Sequence, residues 1–252
     1  MANPEANARA TQKTGGFTRI ELLVILAAVL LLALVQAPLL ATSREGGHQA
    51  VCMNNLRQLG IALQMYSDEN LGVIPEEGNT VVPINDPQNA DAWYNLGIER
   101  KYPRLVDLYT VGEIPLPSKS SIFSCPVAPT PTSTPGFSKA YFMYAMNGRI
   151  CVNKSTRIKR NEFSSIIKPE ATIFLAEADG NSAFVGAAGS NVTGATAIGR
   201  HQNYGNFTMA DGHTTTLRTN VFIRSSFEAS SAASEWAAPQ KVYWYPTPTT
   251  LQ

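Results

Sequence analysis

The 252-residue chain has little charge: Asp, Glu, Lys and Arg make up 15%, against about 25% in an average soluble protein. Lys and Arg number 20 and Asp and Glu 19, a net charge of +1. That balance excludes nucleic-acid binding through bulk positive charge, and no nucleic-acid partner is expected. Only three histidines and three cysteines are present, too few for a disulfide scaffold. No Gly-x-Ser-x-Gly, phosphate-binding loop, His-Glu-x-x-His or Cys-x-x-Cys occurs. The motifs of the common hydrolases, nucleotide binders and zinc proteins are therefore missing, and an enzyme is not expected. Long apolar runs are missing too, except one, which excludes a polytopic membrane protein. The 44% hydrophobic content excludes global disorder.

That one run covers residues 20–41. Residues 22–35 carry no polar side chain, Gln36 and Pro38 interrupt the run, and residues 39–41 extend it. It has about the 20 residues that cross a bilayer as a helix. A polar leader precedes it, residues 1–16, with Arg9, Lys13 and Glu5. Basic residues before the first apolar segment place the N-terminus in the cytoplasm. A secretory signal would be cleaved after the run, and Ala37, Ala41, Ser43, Gly46 and Gly47 leave that reading open. Glu21 sits one turn into the run, where an ionised carboxylate is costly without a partner. Pro38 lacks an N–H and clashes with the preceding turn, so a kink is expected near residues 34–38.

The junction before the run reads Lys13-Thr14-Gly15-Gly16-Phe17-Thr18-Arg19-Ile20-Glu21-Leu22-Leu23. It resembles the prepilin signal of type IV pilins and type II secretion pseudopilins. The resemblance implies cleavage between Gly16 and Phe17 and methylation of the new N-terminus by a prepilin peptidase/N-methyltransferase. It also implies an assembly role for Glu21, the fifth mature residue, opposite the Phe17 amine of a neighbouring subunit. Pro38 falls where many members carry a helix-kinking proline, whereas Arg19 departs from the usual apolar residue.

Beyond the run, Cys52, Leu56, Leu59, Leu63 and Tyr66 recur at helical spacing and define one buried stripe. Asn54, Asn55, Arg57, Gln58 and Gln64 lie mostly off it. Asn70, Gly72 and Pro75 end the helix. The remainder reads as strand and loop. Residues 141–145 and 171–176 are strand candidates, and residues 207–217 read as a hairpin with Asp211-Gly212 at a two-residue turn. Alternation there puts Phe207 and Met209 on one face and Thr208 and Ala210 on the other.

Scattered patches resemble a second, pilin-like family abundant in planctomycetes. They are Cys52-x-Asn54-Asn55-Leu56-x-Gln58, Cys125-Pro126, Tyr144-x-Met146-Asn147, and His201 followed after nine residues by Asp211-Gly212. This family carries no known individual task, so the His201, Asp211, Gly212 element has an unknown role.

A domain outside the cytoplasmic membrane meets oxidising conditions. Cys52 lies on the buried stripe and Cys125 precedes a rigid proline, so a Cys52–Cys125 bridge tying helix to sheet is the pairing expected. Cys125–Cys151 is its rival, and three buried thiols acting as small apolar residues is the third reading. Cysteine-based metal binding finds no support without Cys-x-x-Cys. No cofactor is expected. A metal is the alternative, either held by Asp179, His201, Asp211 and His213 or as calcium in the sheet loops, for which pseudopilins give a precedent. Otherwise Asp211-Gly212 makes the turn and His201 braces it.

The expected fold is α+β: a long N-terminal helix packed on a C-terminal antiparallel sheet, as in pilins. The expected segments are a leader (1–16), a transmembrane and assembly helix (17–41), its amphipathic continuation (42–70), a β-rich domain (71–228) and a tail without assigned structure (229–252). The expected function is a structural subunit of a type IV pilus-like filament or type II secretion pseudopilus. It would be single-pass in the inner membrane, with other subunits and an assembly platform as partners. An unassembled, membrane-tethered binding module is the first alternative, and a secreted metalloenzyme the second.

Overall fold

A computed structural model describes residues 16–78, 86–96, 121–128, 142–151, 162–179 and 190–250, without the side chains of residues 33–43. The chain is α+β and divides into two compact units, Met1–Arg44 and Glu45–Gln252. Helix α1, Arg19–Glu69, has 51 residues and belongs to both.

In the first unit, Gly16 and Phe17 precede the helix in non-helical backbone. Thr18 N donates to Glu21 Oε2 at 2.8 Å, and Glu21 N donates to Thr18 Oγ1 at 3.2 Å. This reciprocal pair is a capping box that satisfies two of the helix's orphan N–H groups. The large apolar side chains from Ile20 to Leu32 are all exposed. Among the described residues, no helix is long and apolar enough to cross a membrane. The transmembrane segment expected over 17–41 rests in part on residues 33–41, whose side chains lie outside the described residues. The kink expected at Pro38 lies there too.

In the second unit, the five described strands are β1 (Tyr144–Asn147), β2 (Ile173–Glu177), β3 (Asn191–Val192), β4 (Tyr204–Met209) and β5 (Thr214–Arg218). Their order is β3-β1-β2-β4-β5. The expectation of an antiparallel sheet is corrected: β1 pairs with β3 in parallel, so the sheet is mixed. β3 has only two residues, too short for any period-2 signal.

Both faces of the sheet are buried. One core cluster joins Cys52, Leu56, Leu59 and Leu63 of α1 to Tyr144, Met146, Phe174, Leu175 and Ala210. Main chains come close here, with Thr208 Oγ1 donating to the Leu56 carbonyl at 2.8 Å. A Cβ on Gly60 would lie 2.5 Å from Thr208 Cγ2. The second cluster joins Ala145, Ile173, Ala176, Phe207, Met209 and Leu217 to Phe222, Val242 and Trp244. The expected split of Phe207 and Met209 from Ala210 follows from strand alternation.

Two expectations change. Asn55, read as off the stripe, is buried and donates to the Ser124 carbonyl at 2.8 Å. Of the tail expected over 229–252, residues 229–250 are built into the domain. They hold helix α3 (Ala232–Trp236), and Tyr243 makes main-chain hydrogen bonds with Ile173 and Ala171 at the start of β2. A short helix α2, Thr219–Phe222, supplies Phe222 to the same cluster. Buried Glu235 accepts from the backbone of Trp244 and Tyr245 at 2.8–3.0 Å.

Candidate metal centre

Four elements deliver four ligand-type side chains to one buried point. Cys52 comes from the buried stripe of α1. Cys125 comes from the loop 121–128, where Cys125 N donates to Met143 Sδ at 3.0 Å. Glu177 ends β2, opposite Tyr144 of β1. His201 opens the turn into β4, its N–H and carbonyl bonded to Tyr204 at 2.9 Å each. Gln202 and Asn203, at φ 51° and 68°, make the two-residue loop between them. Cys52 Sγ, Cys125 Sγ, a Glu177 oxygen and a His201 ring nitrogen all lie within 4.8 Å of one another, and all four residues are buried.

Glu177 has no exposed surface. Its carboxylate accepts from His201 Nε2 at 2.9 Å, Asn206 N at 3.2 Å and Asn206 Nδ2 at 3.1 Å, the partners that a buried charge requires. Asn206 is held in turn by Thr216 Oγ1, which donates to its Oδ1 at 2.8 Å. On the other side of the imidazole, His201 Nδ1 lies 3.1 Å from Glu45 Oε1. Cys125 Sγ lies 4.0 Å from His201 Nε2. Arg200 is bonded to the carbonyls of Ala178 and, at 3.3 Å, Met143.

The electrostatics follow from this packing. The hydrogen bond from Cys52 pulls the Cys125 thiol well below its ordinary value, against the effect of burial, with help from His201 and the Arg200 charge. Its partner Cys52 moves up, through that same hydrogen bond and burial. Burial alone would lower the His201 imidazole, but its bonds to Cys125, Glu177 and Glu45 raise it to about 10. The lowered Cys125 thiol and the raised His201 imidazole thus share one cause, the close approach of these side chains to one another and to Arg200.

The expected site residues are distributed as follows. Cys52 and Cys125 are brought together, as free thiols rather than a bridge. Cys151, the rival partner, is a free buried thiol 3.9 Å from Glu77 Oε2. His201 belongs to the buried cluster, but Asp211 and His213 do not. Those two pair with each other at the exposed end of the hairpin, His213 Nδ1 2.6 Å from Asp211 Oδ1. Asp179 is outside the cluster as well. Among the described residues the expected Asp179, His201, Asp211, His213 set is therefore not assembled.

The Asp211-Gly212 turn also differs from expectation. Gly212 N donates to Met209 O, and Met209 N to His213 O, each at 2.9 Å. Positive φ falls on Gly212 alone, at 90°. This is a three-residue loop with glycine in the left-handed position, and the two-residue turn with two positive φ values lies at Gln202-Asn203 instead. Glu45 is a neighbour of His201 that no sequence signal announced, whereas Glu177 lies two residues before Asp179, on the segment that the sequence already offers to His201. The available signal was three separately noted patches, Cys52-x-Asn54-Asn55, Cys125-Pro126 and His201-x9-Asp211, whose first residues converge on one point.

No family model, curated protein or solved structure matches this chain.

Proposed function

We propose that the chain is a pilin-like structural subunit. In this reading it is single-pass in the inner membrane, with the second unit outside the cytoplasm. A prepilin peptidase cuts it between Gly16 and Phe17 and methylates the new N-terminus. The first part of α1 then packs against other subunits, delivered by an inner-membrane assembly platform, in a filament or pseudopilus. The later part of α1 lies on the sheet in the pilin manner.

The observation that carries the reading is the contrast along α1. From Ile20 to Leu32 every large apolar side chain is exposed, whereas Cys52, Leu56, Leu59 and Leu63 are buried. Leaving a Leu or Ile side chain in water rather than burying it costs about 1.5–3 kcal/mol. A run of such residues therefore calls for lipid or neighbouring helices around it. The sequence prolongs the run to Ala41. Gly16 has open space around its Cα and lies with Phe17 outside the helix, where a protease can seat the bond in extended form.

Two measurements test this. Intact-mass and N-terminal analysis of protein recovered from membranes should give a chain starting at methylated Phe17, and a start after Ala41 or Ser43 counts against the reading. Glu21→Ala should leave membrane attachment intact and abolish assembly, followed by shearing and imaging of filaments. An unassembled tether would be indifferent to Glu21→Ala.

A further inference from the structure

We propose that Cys52 Sγ, Cys125 Sγ, Glu177 Oε1 and His201 Nε2 bind one zinc ion in a closed structural site. The proposal stands apart from the assembly reading, since the residues all belong to the second unit.

The donor set is the first argument. Two thiolates, an imidazole and a carboxylate are ligands that zinc accepts in tetrahedral array. With Zn–S of about 2.3 Å and Zn–N and Zn–O of about 2.0–2.1 Å, ligand atoms in such an array stand roughly 3.3–3.8 Å apart. Here the four atoms lie within 4.8 Å, with Nε2 at 2.9 Å from Glu177 Oε1 and 4.0 Å from Cys125 Sγ. Nε2 and Oε1 need to part slightly and the sulphurs to close in, movements that side-chain torsions supply. The ion takes the place of the proton between Nε2 and Oε1 and of the S–H proton between the two sulphurs.

The support around the ligands is the second argument. A zinc-bound imidazole characteristically donates its other ring N–H to a carboxylate, which fixes the tautomer. Glu45 Oε1 sits 3.1 Å from Nδ1 in that position. The Glu177 carboxylate is oriented by Asn206 through two hydrogen bonds. Charge is the third. Two thiolates and the Glu177 carboxylate exceed the ion by a single negative charge, which the adjacent Arg200 offsets, and the part-exposed Glu45 carboxylate adds one more at the solvent side. The four residues are buried, which leaves no open position for a reacting water and makes the role structural.

The experiment uses full-length protein in detergent micelles, purified under reducing conditions. Elemental analysis should find about one zinc per chain. Exchange with Co2+ should give thiolate-to-cobalt charge-transfer absorption and the intense visible bands of tetrahedral cobalt. Cys52→Ser, Cys125→Ser and His201→Gln should each reduce bound metal to under roughly a tenth of an equivalent, while Cys151→Ser and His213→Gln keep it. Should the buried variants fail to fold, the wild-type protein decides: chelation should lower its melting temperature, and added zinc should restore it. The proposal is overturned if the folded, reduced wild type neither carries nor takes up zinc or cobalt. Retention of metal by folded His201→Gln also overturns it, as does a Cys52–Cys125 disulfide in the native protein.

Discussion

Glu77 is buried and accepts from Asn191 Nδ2 and, at 3.9 Å, from Cys151 Sγ. Burial pushes its carboxyl above the ordinary 4.5, outweighing the downward pull of those two bonds. The folded chain therefore holds this proton more tightly than the unfolded chain does. The stability that results is fully present below about 4.5 and is lost as pH rises through the higher folded value. Glu77→Gln keeps an acceptor for Asn191 and has no proton to lose. Thermal melts between about pH 4 and 8 should lose less stability in the variant, and an unchanged slope would assign the effect to another group. Gly60 gives a second test. Alanine is worth about 1 kcal/mol over glycine inside a helix, but its Cβ would meet Thr208 Cγ2 at 2.5 Å. Overpacking of this kind costs about 1–3 kcal/mol, so Gly60→Ala should lower the denaturant midpoint. Adding Thr208→Ser removes the methyl, keeps the hydroxyl that donates to Leu56, and should recover the loss. A midpoint that rises in Gly60→Ala alone would mean that α1 and β4 separate easily.

At the scale of the element, the hairpins carry the predictions. Gly212 has φ of 90°, and a Cβ there would stand 2.5 Å from Gln64 Oε1. Gly212→Val combines backbone strain with this clash and should cost more than the roughly 1 kcal/mol of an ordinary substitution. Gln202-Asn203 already holds two positive φ values, and both residues are exposed. Replacing the pair by Asn-Gly, the sequence such a turn prefers, should raise the melting temperature, and a fall would refute the turn assignment. The sequence made some of these elements legible and hid others for physical reasons. The stripe from Cys52 to Leu63 showed because four buried positions repeat at 3.6-residue spacing. The strand pair around Asp211-Gly212 showed because β-formers alternate on both sides of a glycine. Its loop length did not, since Asp-Gly serves two-residue and three-residue turns alike. The tight turn at Gln202-Asn203 was invisible because glutamine carries no turn signal. Asn55 looked like a surface residue because its acceptor, the Ser124 carbonyl, lies 69 positions away.

For the whole molecule, the centre was harder to read than the fold class. Its ligand atoms come from a helix, a loop, a strand end and a turn, so no local spacing such as Cys-x-x-Cys announces it. Cys52 and Cys125 suggested a pair because each was expected inside, but nothing in the local sequence around Glu45 or Glu177 ties either of them to His201. The segment 229–252 was equally opaque: it has no period, Val242 and Trp244 gain their meaning only against the sheet face they cover, and Tyr243 and Tyr245 only against Trp236 and Arg149. Truncation after Gln240 removes Val242 and Trp244 from the second core cluster and frees Glu235 of its backbone donors. Such a chain should lose cooperative unfolding, and a sharp calorimetric transition in it would show that this cover is dispensable.

That cover also sets a timetable. A ribosome delivers residues 242–245 after every strand has been made, so Phe207, Met209 and Phe222 leave the exit tunnel with nothing over them. Until Val242 and Trp244 arrive, the nascent domain presents an open apolar sheet face, the kind of surface on which chaperones and proteases compete. A premature stop codon between Phe222 and Val242 would hold the chain permanently at that stage.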